Sequence, residues 1–242
     1  MIEARDVTSF KRTIEAISSF ISEGNFRFSE NGISLRAVDP SQIVLVDCFI
    51  DKKSFTQYDL EPSYVGMDVV ELSRMLSRSL TNDVLFLDLD DNEMRLHLKG
   101  DFSRSFHLPL IDVSEPEKEL KLPNQQFTAV VEINARVFKE LLKDALLFGS
   151  TVVLKVADHR FAVEAKGSQG ALKTISAETS LITVTHSSNA EAKYSLNFLA
   201  NIVKEAENDS IIKLEFKSDA PMRISYKIGS THMQYYLAHM IL

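Results

Sequence analysis

Gly32-Ile33-Ser34-Leu35-Arg36-Ala37-Val38-Asp39-Pro40-Ser41-Gln42-Ile43-Val44-Leu45-Val46-Asp47 reads as two β-strands joined by a turn that carries a proline. Proline presets one backbone angle of a tight turn and cannot donate to a strand ladder, so it sits between the two strands and not within either. Just upstream, Asn25-Phe26-Arg27-Phe28-Ser29 alternates apolar with polar residues, and Glu30-Asn31-Gly32 supplies a hairpin turn into the quoted stretch. Earlier still, segment 8–22 places Phe10, Ile14, Ile17 and Ile21 on one helical face, after a short apolar strand over 2–7. The first 50 residues therefore form a β-α-β-β-β unit.

The same order recurs. A strand over 64–67, a helix over 69–79 and strands over 84–89, 94–99 and 103–110 make a second copy, with Val70, Met75, Leu76 and Leu80 expected to face inward. Segment 112–126 is charged, holds two prolines and shows no sustained period, so it reads as an extended linker. Only Leu120 and Leu122, spaced by two, depart from that character. The second half repeats the pattern with a strand over 127–133, a helix over 135–148 and strands over 152–157, 160–165 and 171–177. A last unit begins at Lys193 and runs through a helix over 197–207 to strands over 211–216, 222–228 and 232–240. Phe10-Lys11 recurs 128 positions on as Phe138-Lys139, and Met94-Arg95 recurs at the same offset as Met222-Arg223. The expectation is an α+β protein of two similar domains, 1–111 and 127–242, joined by the linker 112–126.

Composition narrows the function. With 45% hydrophobic and 25% charged residues in a chain of 242, a proper core is available without disulfide staples. No apolar run is long enough to cross a membrane, and the start of the chain has neither a basic flank nor a signal core, so no membrane role and no secretion are expected. The lone cysteine, Cys48, lies in an apolar strand and reads as a buried small hydrophobe. The net charge of −7 argues against coating nucleic acid with the whole surface; a nucleic-acid role requires the cations to be segregated.

Enzyme signatures are missing: there is no nucleophile elbow, phosphate loop, zinc-protease helix or dinucleotide fingerprint. Asp88-Leu89-Asp90-Asp91-Asn92 starts like a calcium loop, but Glu93 stands where glycine is needed and Lys99 where the last acidic ligand belongs. The six histidines (His97, His107, His159, His186, His232 and His239) lack metal-ligand spacing. No enzyme activity, cofactor or metal is expected.

The cations on the helices carry the most information: Lys11 and Arg12, Arg74 and Arg78, Lys139 and Lys143, and Lys204. A charged face opposite an apolar stripe is ordinarily solvated surface. Its recurrence in repeat-equivalent helices instead points to one shared positive surface, suited to holding phosphates without reading bases.

The quoted stretch, the linker region 106–127 and the ending 220–238 together resemble the sliding DNA clamps of the proliferating cell nuclear antigen type. That resemblance implies a non-enzymatic DNA polymerase processivity factor: a ring, trimeric and either homomeric or with specialised subunits, with helices lining the hole, sheets outside and duplex DNA threaded through. A specialised subunit of a heterotrimeric clamp, or a checkpoint-type clamp, shares the fold and is the alternative. The resemblance makes Lys11, Arg12, Arg74, Arg78, Lys139, Lys143 and Lys204 DNA-facing, with Glu140 acidic at a position often basic in relatives. It implies a partner-peptide site at Val38, Pro40 and Ile43, at Leu120, Leu122, Pro123 and Phe127, at Ala220, Pro221 and Met222, and at Tyr236, Leu237, Ala238, His239, Met240 and Ile241. His239 and Met240 replace the proline and basic residue of the usual tail. The implied subunit edges are Ser103, Ser105, His107 and Pro109 on one strand and Ala171, Lys173, Ile175 and Ala177 on another. Implied partners are a clamp loader, a DNA polymerase, a flap nuclease and a DNA ligase, met on the archaeal nucleoid or in a eukaryotic nucleus.

Overall fold

The computed structural model describes residues 1–113, 120–177, 181–185 and 188–241. In chain order it contains β1 (Ile2–Ala4), α1 (Val7–Ser18), β2 (Glu23–Ser29), β3 (Gly32–Val38), β4 (Val44–Asp51), β5 (Gln57–Tyr58), β6 (Ser63–Asp68), α2 (Val69–Leu76), β7 (Val84–Leu89), β8 (Glu93–Lys99) and β9 (Ser103–Pro109). The second half holds β10 (Ala129–Asn134), α3 (Ala135–Leu146), β11 (Thr151–Ala157), β12 (Arg160–Gly167), β13 (Gly170–Ile175), β14 (Ile182–Thr185), β15 (Ala190–Ser195), α4 (Leu196–Val203), β16 (Ile211–Phe216), β17 (Met222–Ile228) and β18 (Thr231–Leu237). Four β-α-β-β-β units emerge, with β5 and β14 as short additions that the sequence reading lacks. The fold is α+β and is built on antiparallel pairings such as β2 with β3, β7 with β8 and β11 with β12.

The chain divides into two compact units. The first comprises Met1–Gln42, Val46–Lys121 and Ile228–Met233; the second comprises Ile43–Leu45, Leu122–Lys227 and Gln234–Leu242. In the first, β5-β1-β7-β8-β9 form one sheet, β6, β2 and β3 lie side by side in another, and α1 packs on α2. In the second, β13-β12-β11-β15 form one sheet, β14, β10, β16 and β17 another, and α3 packs on α4.

The opening stretch folds as its residues dictate. In β4, Val44, Val46, Cys48 and Ile50 are buried at alternate positions, the period of a half-buried strand. The Asp39 carboxylate accepts from the Ser41 amide at 3.0 Å and its carbonyl from the Gln42 amide at 2.8 Å, which closes the turn around Pro40. At Gly32, φ is 145° and a Cβ would lie 2.1 Å from the Ile50 carbonyl oxygen, so no larger residue fits. Burial pushes the Cys48 thiol up, with Asp47 adding to the effect, so it stays protonated and inert.

The helices begin on side-chain caps. Asp6, Asp68 and Asn134 accept from Ser9, Glu71 and Val137 amides, and Asp6 and Asn134 stand at the repeat offset. On α1, Phe10, Ile14 and Ile17 are buried, with Ile21 buried just beyond, as its spacing predicts. On α2 the expected inward set needs correction: Val69, Leu72 and Leu76 are buried, whereas Val70 and Met75 are partly exposed and Leu80 is exposed. The helix ends at Leu76, so Leu80 lies past its last turn, and the stripe follows the i, i+3, i+7 row from Val69. Helices α3 and α4 likewise stop short of the expected 148 and 207.

Candidate functional site

In the first unit, Lys11 and Arg12 sit half-buried on α1, beside the buried Phe10. Arg74 is exposed in the last turn of α2 and pairs with Glu71 three residues earlier. Arg78 lies beyond the helix, exposed, with its carbonyl accepting from the Arg104 Nη1. Because α1 packs on α2, Lys11, Arg12 and Arg74 belong to the helical layer of one unit, with Arg78 in the turn that follows α2.

In the second unit, Lys143 of α3 is exposed and donates to Glu140 Oε1 at 2.8 Å. That hydrogen bond holds the Glu140 carboxyl below the usual glutamate value. Lys204 caps the end of α4, exposed, with Nζ 3.6 Å from Glu205 Oε1. Exposed pairs such as Arg74 with Glu71 and Lys143 with Glu140 are screened by water and hold their cations weakly, so exchanging a carboxylate for a phosphate costs little. Lys139 differs. Its Nζ donates to the Ala206 carbonyl at 2.6 Å and to Asn208 Oδ1 at 3.4 Å, closing the turn after α4.

Of the residues expected at a peptide site, Val38, Pro40 and Leu120 are exposed in the first unit. In the second unit Ile43, Leu122, Phe127, Pro221, Ala238 and His239 are half-buried, while Pro123, Met240 and Ile241 are exposed. Ala220 and Tyr236 are nearly buried, and Met222 and Leu237 are fully buried, so those last two side chains serve the core. Backbone bonds order the tail: the Ala238 amide donates to the Ile43 carbonyl at 2.9 Å and the Met240 amide to Lys193 at 2.7 Å. The Gln125 amide group donates to the Pro221 carbonyl at 3.0 Å, and the Arg223 guanidinium lies 5.0 Å from the centre of the Phe127 ring.

Sequence reasoning missed the residues that hold Leu120 in place within the first unit. Arg36 Nε donates to Asp47 Oδ1 at 2.8 Å, and its Nη1 donates to the Leu120 carbonyl at 2.8 Å. The one sequence signal was its place in β3 two residues before Val38, on the same face.

Two strands end their sheets. β9 pairs with β8 alone among the described residues, and Ser103, Ser105, His107 and Pro109 are exposed along it. Among the described residues β13 pairs with β12 alone, and it exposes Ala171, Lys173 and Ile175, with Ala177 exposed just beyond. His107 Nδ1 stands 3.1 Å from Glu93 Oε2; Arg95 and then His107 hold the Glu93 carboxyl below its usual value. His186 lies outside the described residues. Among the described residues no group of three or more His, Cys, Asp or Glu could hold a metal ion, and no helix is long and apolar enough to cross a membrane.

Two family models match in tandem: the N-terminal domain of proliferating cell nuclear antigen over residues 1–113 and its C-terminal domain over 121–240. The chain belongs to the proliferating cell nuclear antigen family. Among its relatives in that family, the DNA polymerase sliding clamp of Methanothrix thermoacetophila is 34% identical over 96% of this chain and 95% of its own length. DNA polymerase sliding clamp 1 of Thermococcus kodakarensis is 31% identical over 90% and 89%. The fold agrees with proliferating cell nuclear antigen of Thermococcus kodakaraensis at a TM-score of 0.92 and 23% identity, covering 99% of each chain. The Entamoeba histolytica family member gives a TM-score of 0.89 at 22% identity over 99% and 98%.

Proposed function

We propose that this chain is the subunit of a DNA polymerase sliding clamp, a processivity factor that works by encircling duplex DNA and not by catalysis. Three copies close head to tail, β9 of one copy adding to β13 of the next. Each chain exposes both edges, so identical subunits suffice, and a heterologous contact of this kind closes when its rotation permits. Backbone pairing across the joint satisfies groups that a lone edge strand leaves to water. The working domains are 1–111 and 127–242, joined by 112–126.

The observation that carries the reading is the placement of Arg74, Lys143 and Lys204 as exposed cations on the helices of a family member whose net charge is −7. Such cations offer contacts to phosphates that carry no sequence information, which suits sliding. The exposed apolar residues Val38 and Leu120 of the first unit support docking of short peptides with apolar and aromatic anchors, carried by a clamp loader, a polymerase, a flap nuclease or a ligase.

The test replaces Lys11, Arg74, Lys143 and Lys204 together with alanine. Loader-dependent retention on DNA and primer extension on long templates are expected to fall while assembly persists. Unchanged retention and extension overturn the DNA-facing assignment.

A further inference from the structure

Linker residues rarely hold themselves in place, and 112–126 has neither the period of a helix nor that of a strand. Among the described residues, Leu120 makes one hydrogen bond, in which its carbonyl accepts from Arg36 Nη1 at 2.8 Å. The same guanidinium is fixed from its other side by Asp47, whose Oδ1 accepts from Nε at 2.8 Å. Arg36 and Asp47 are both about three-quarters buried, with side chains 24% and 23% exposed, so the pair is shielded more than an ordinary surface ion pair. Arg36 stands on the face of β3 that also carries Val38, so its second arm holds Leu120 over that face.

We infer that Arg36 is a positioning residue for partner binding: a latch, set by Asp47, that presents Leu120 to an incoming peptide without touching the peptide itself. The inference rests on the proposed peptide site and adds to it the group that governs its affinity. A guanidinium suits the task because its rigid planar fork serves two acceptors at once, whereas a lysine ammonium on a flexible stem does not fix both. A latched linker is already ordered when the peptide arrives. An unlatched one must be ordered at that moment, and binding weakens accordingly.

The test uses the full assembled protein and a fluorescein-labelled synthetic peptide carrying one leucine and two adjacent phenylalanines, read by anisotropy. R36A is expected to weaken binding about tenfold, and R36K, which keeps the charge but not the fork, to restore little of it. L120A weakens binding as well, and the double variant R36A with L120A binds no worse than L120A alone, because both act through one side chain. Assembled mass stays as in the unaltered protein, the thermal midpoint falls modestly as Asp47 loses its partner, and hydrogen exchange rises at the amides of Lys121 and Leu122. R36A binding within twofold of the unaltered protein, or a double variant whose loss is the product of the two singles, overturns the latch while leaving the peptide site standing. Failure of the unaltered protein to bind the peptide overturns the site and the latch together.

Discussion

The Arg223 guanidinium of β17 grips the Glu215 carboxylate of its neighbour β16 at two points, Nε to Oε2 at 2.6 Å and Nη2 to Oε1 at 2.7 Å. The two residues are register partners, and Lys213 Nζ adds a third cationic contact at 3.3 Å. At the repeat-equivalent position, Arg95 reaches Glu93 on its own strand and Asp90 in the preceding turn. The duplicated arginine therefore buttresses a sheet in both units, and in the second it also lies against Phe127, the first residue after the linker.

Glu215 is 8% exposed and Arg223 30%, so removing the arginine strands a carboxylate that water barely reaches. Arg223→Ala is expected to destabilise the protein by about 2–3 kcal/mol, below the range for a fully buried pair because one partner is partly solvated. Urea unfolding checks this; a loss under about 0.5 kcal/mol contradicts it.

Acid sensitivity follows from the same pair. Burial pushes the Glu215 carboxyl up, but the Arg223 hydrogen bond and charge, with help from Lys213, outweigh it and hold the group below its ordinary value. A lowered carboxyl contributes stability that is fully present above the ordinary glutamate value and lost as pH falls through the folded one. Unfolding measured between about pH 5 and about pH 3 is expected to show a steeper decline for the natural protein than for Glu215→Gln. Equal slopes contradict the assignment.

Two lysines of α3 that look alike in sequence are expected to behave differently. Lys139→Ala removes the ammonium bonded to the Ala206 carbonyl and costs about 1–2 kcal/mol of stability. Lys143→Ala, on an exposed pair with Glu140, leaves stability nearly unchanged yet weakens retention on DNA. Thermal unfolding and DNA retention measured on both variants separate the two roles.

That contrast shows what the sequence can carry. The four β-α-β-β-β units were legible because amphipathic period is local: Phe10, Ile14 and Ile17, or alternate residues of β4, announce their face within a few positions. Helix ends were overextended because apolar residues such as Leu80 and Leu147 continue past the last α-helical turn, where the amides of Leu147 and Phe148 reach back only three residues, in a tighter turn. β5 and β14, of two and four residues, are too short to show a period. The roles of Lys139 and Arg36 were illegible for a different reason. Their acceptors are backbone carbonyls 67 and 84 residues away, and a carbonyl has no residue identity to read.

Gly32→Ala is expected to cost about 2–4 kcal/mol, because the new Cβ meets the Ile50 carbonyl oxygen and a positive φ at once. A chemical unfolding midpoint unchanged from the natural protein contradicts the packing described for the opening hairpin.

Ile175, 51% exposed on the edge strand β13, is expected to lie in the joint between copies. Ile175→Asp places a charge against an approaching edge and is expected to reduce the assembled mass toward that of one chain, with little change in the stability of that chain. Light scattering decides it; an unaltered mass removes β13 from the joint.

Encirclement is tested most directly by topology. The protein is loaded onto nicked circular duplex DNA by a clamp loader, freed of loader, and passed through gel filtration before and after the circle is cut once. The account predicts stable retention on the intact circle and rapid loss from the cut one, at the same salt and the same DNA length. Equal retention on both forms, or equal loss from both, contradicts it.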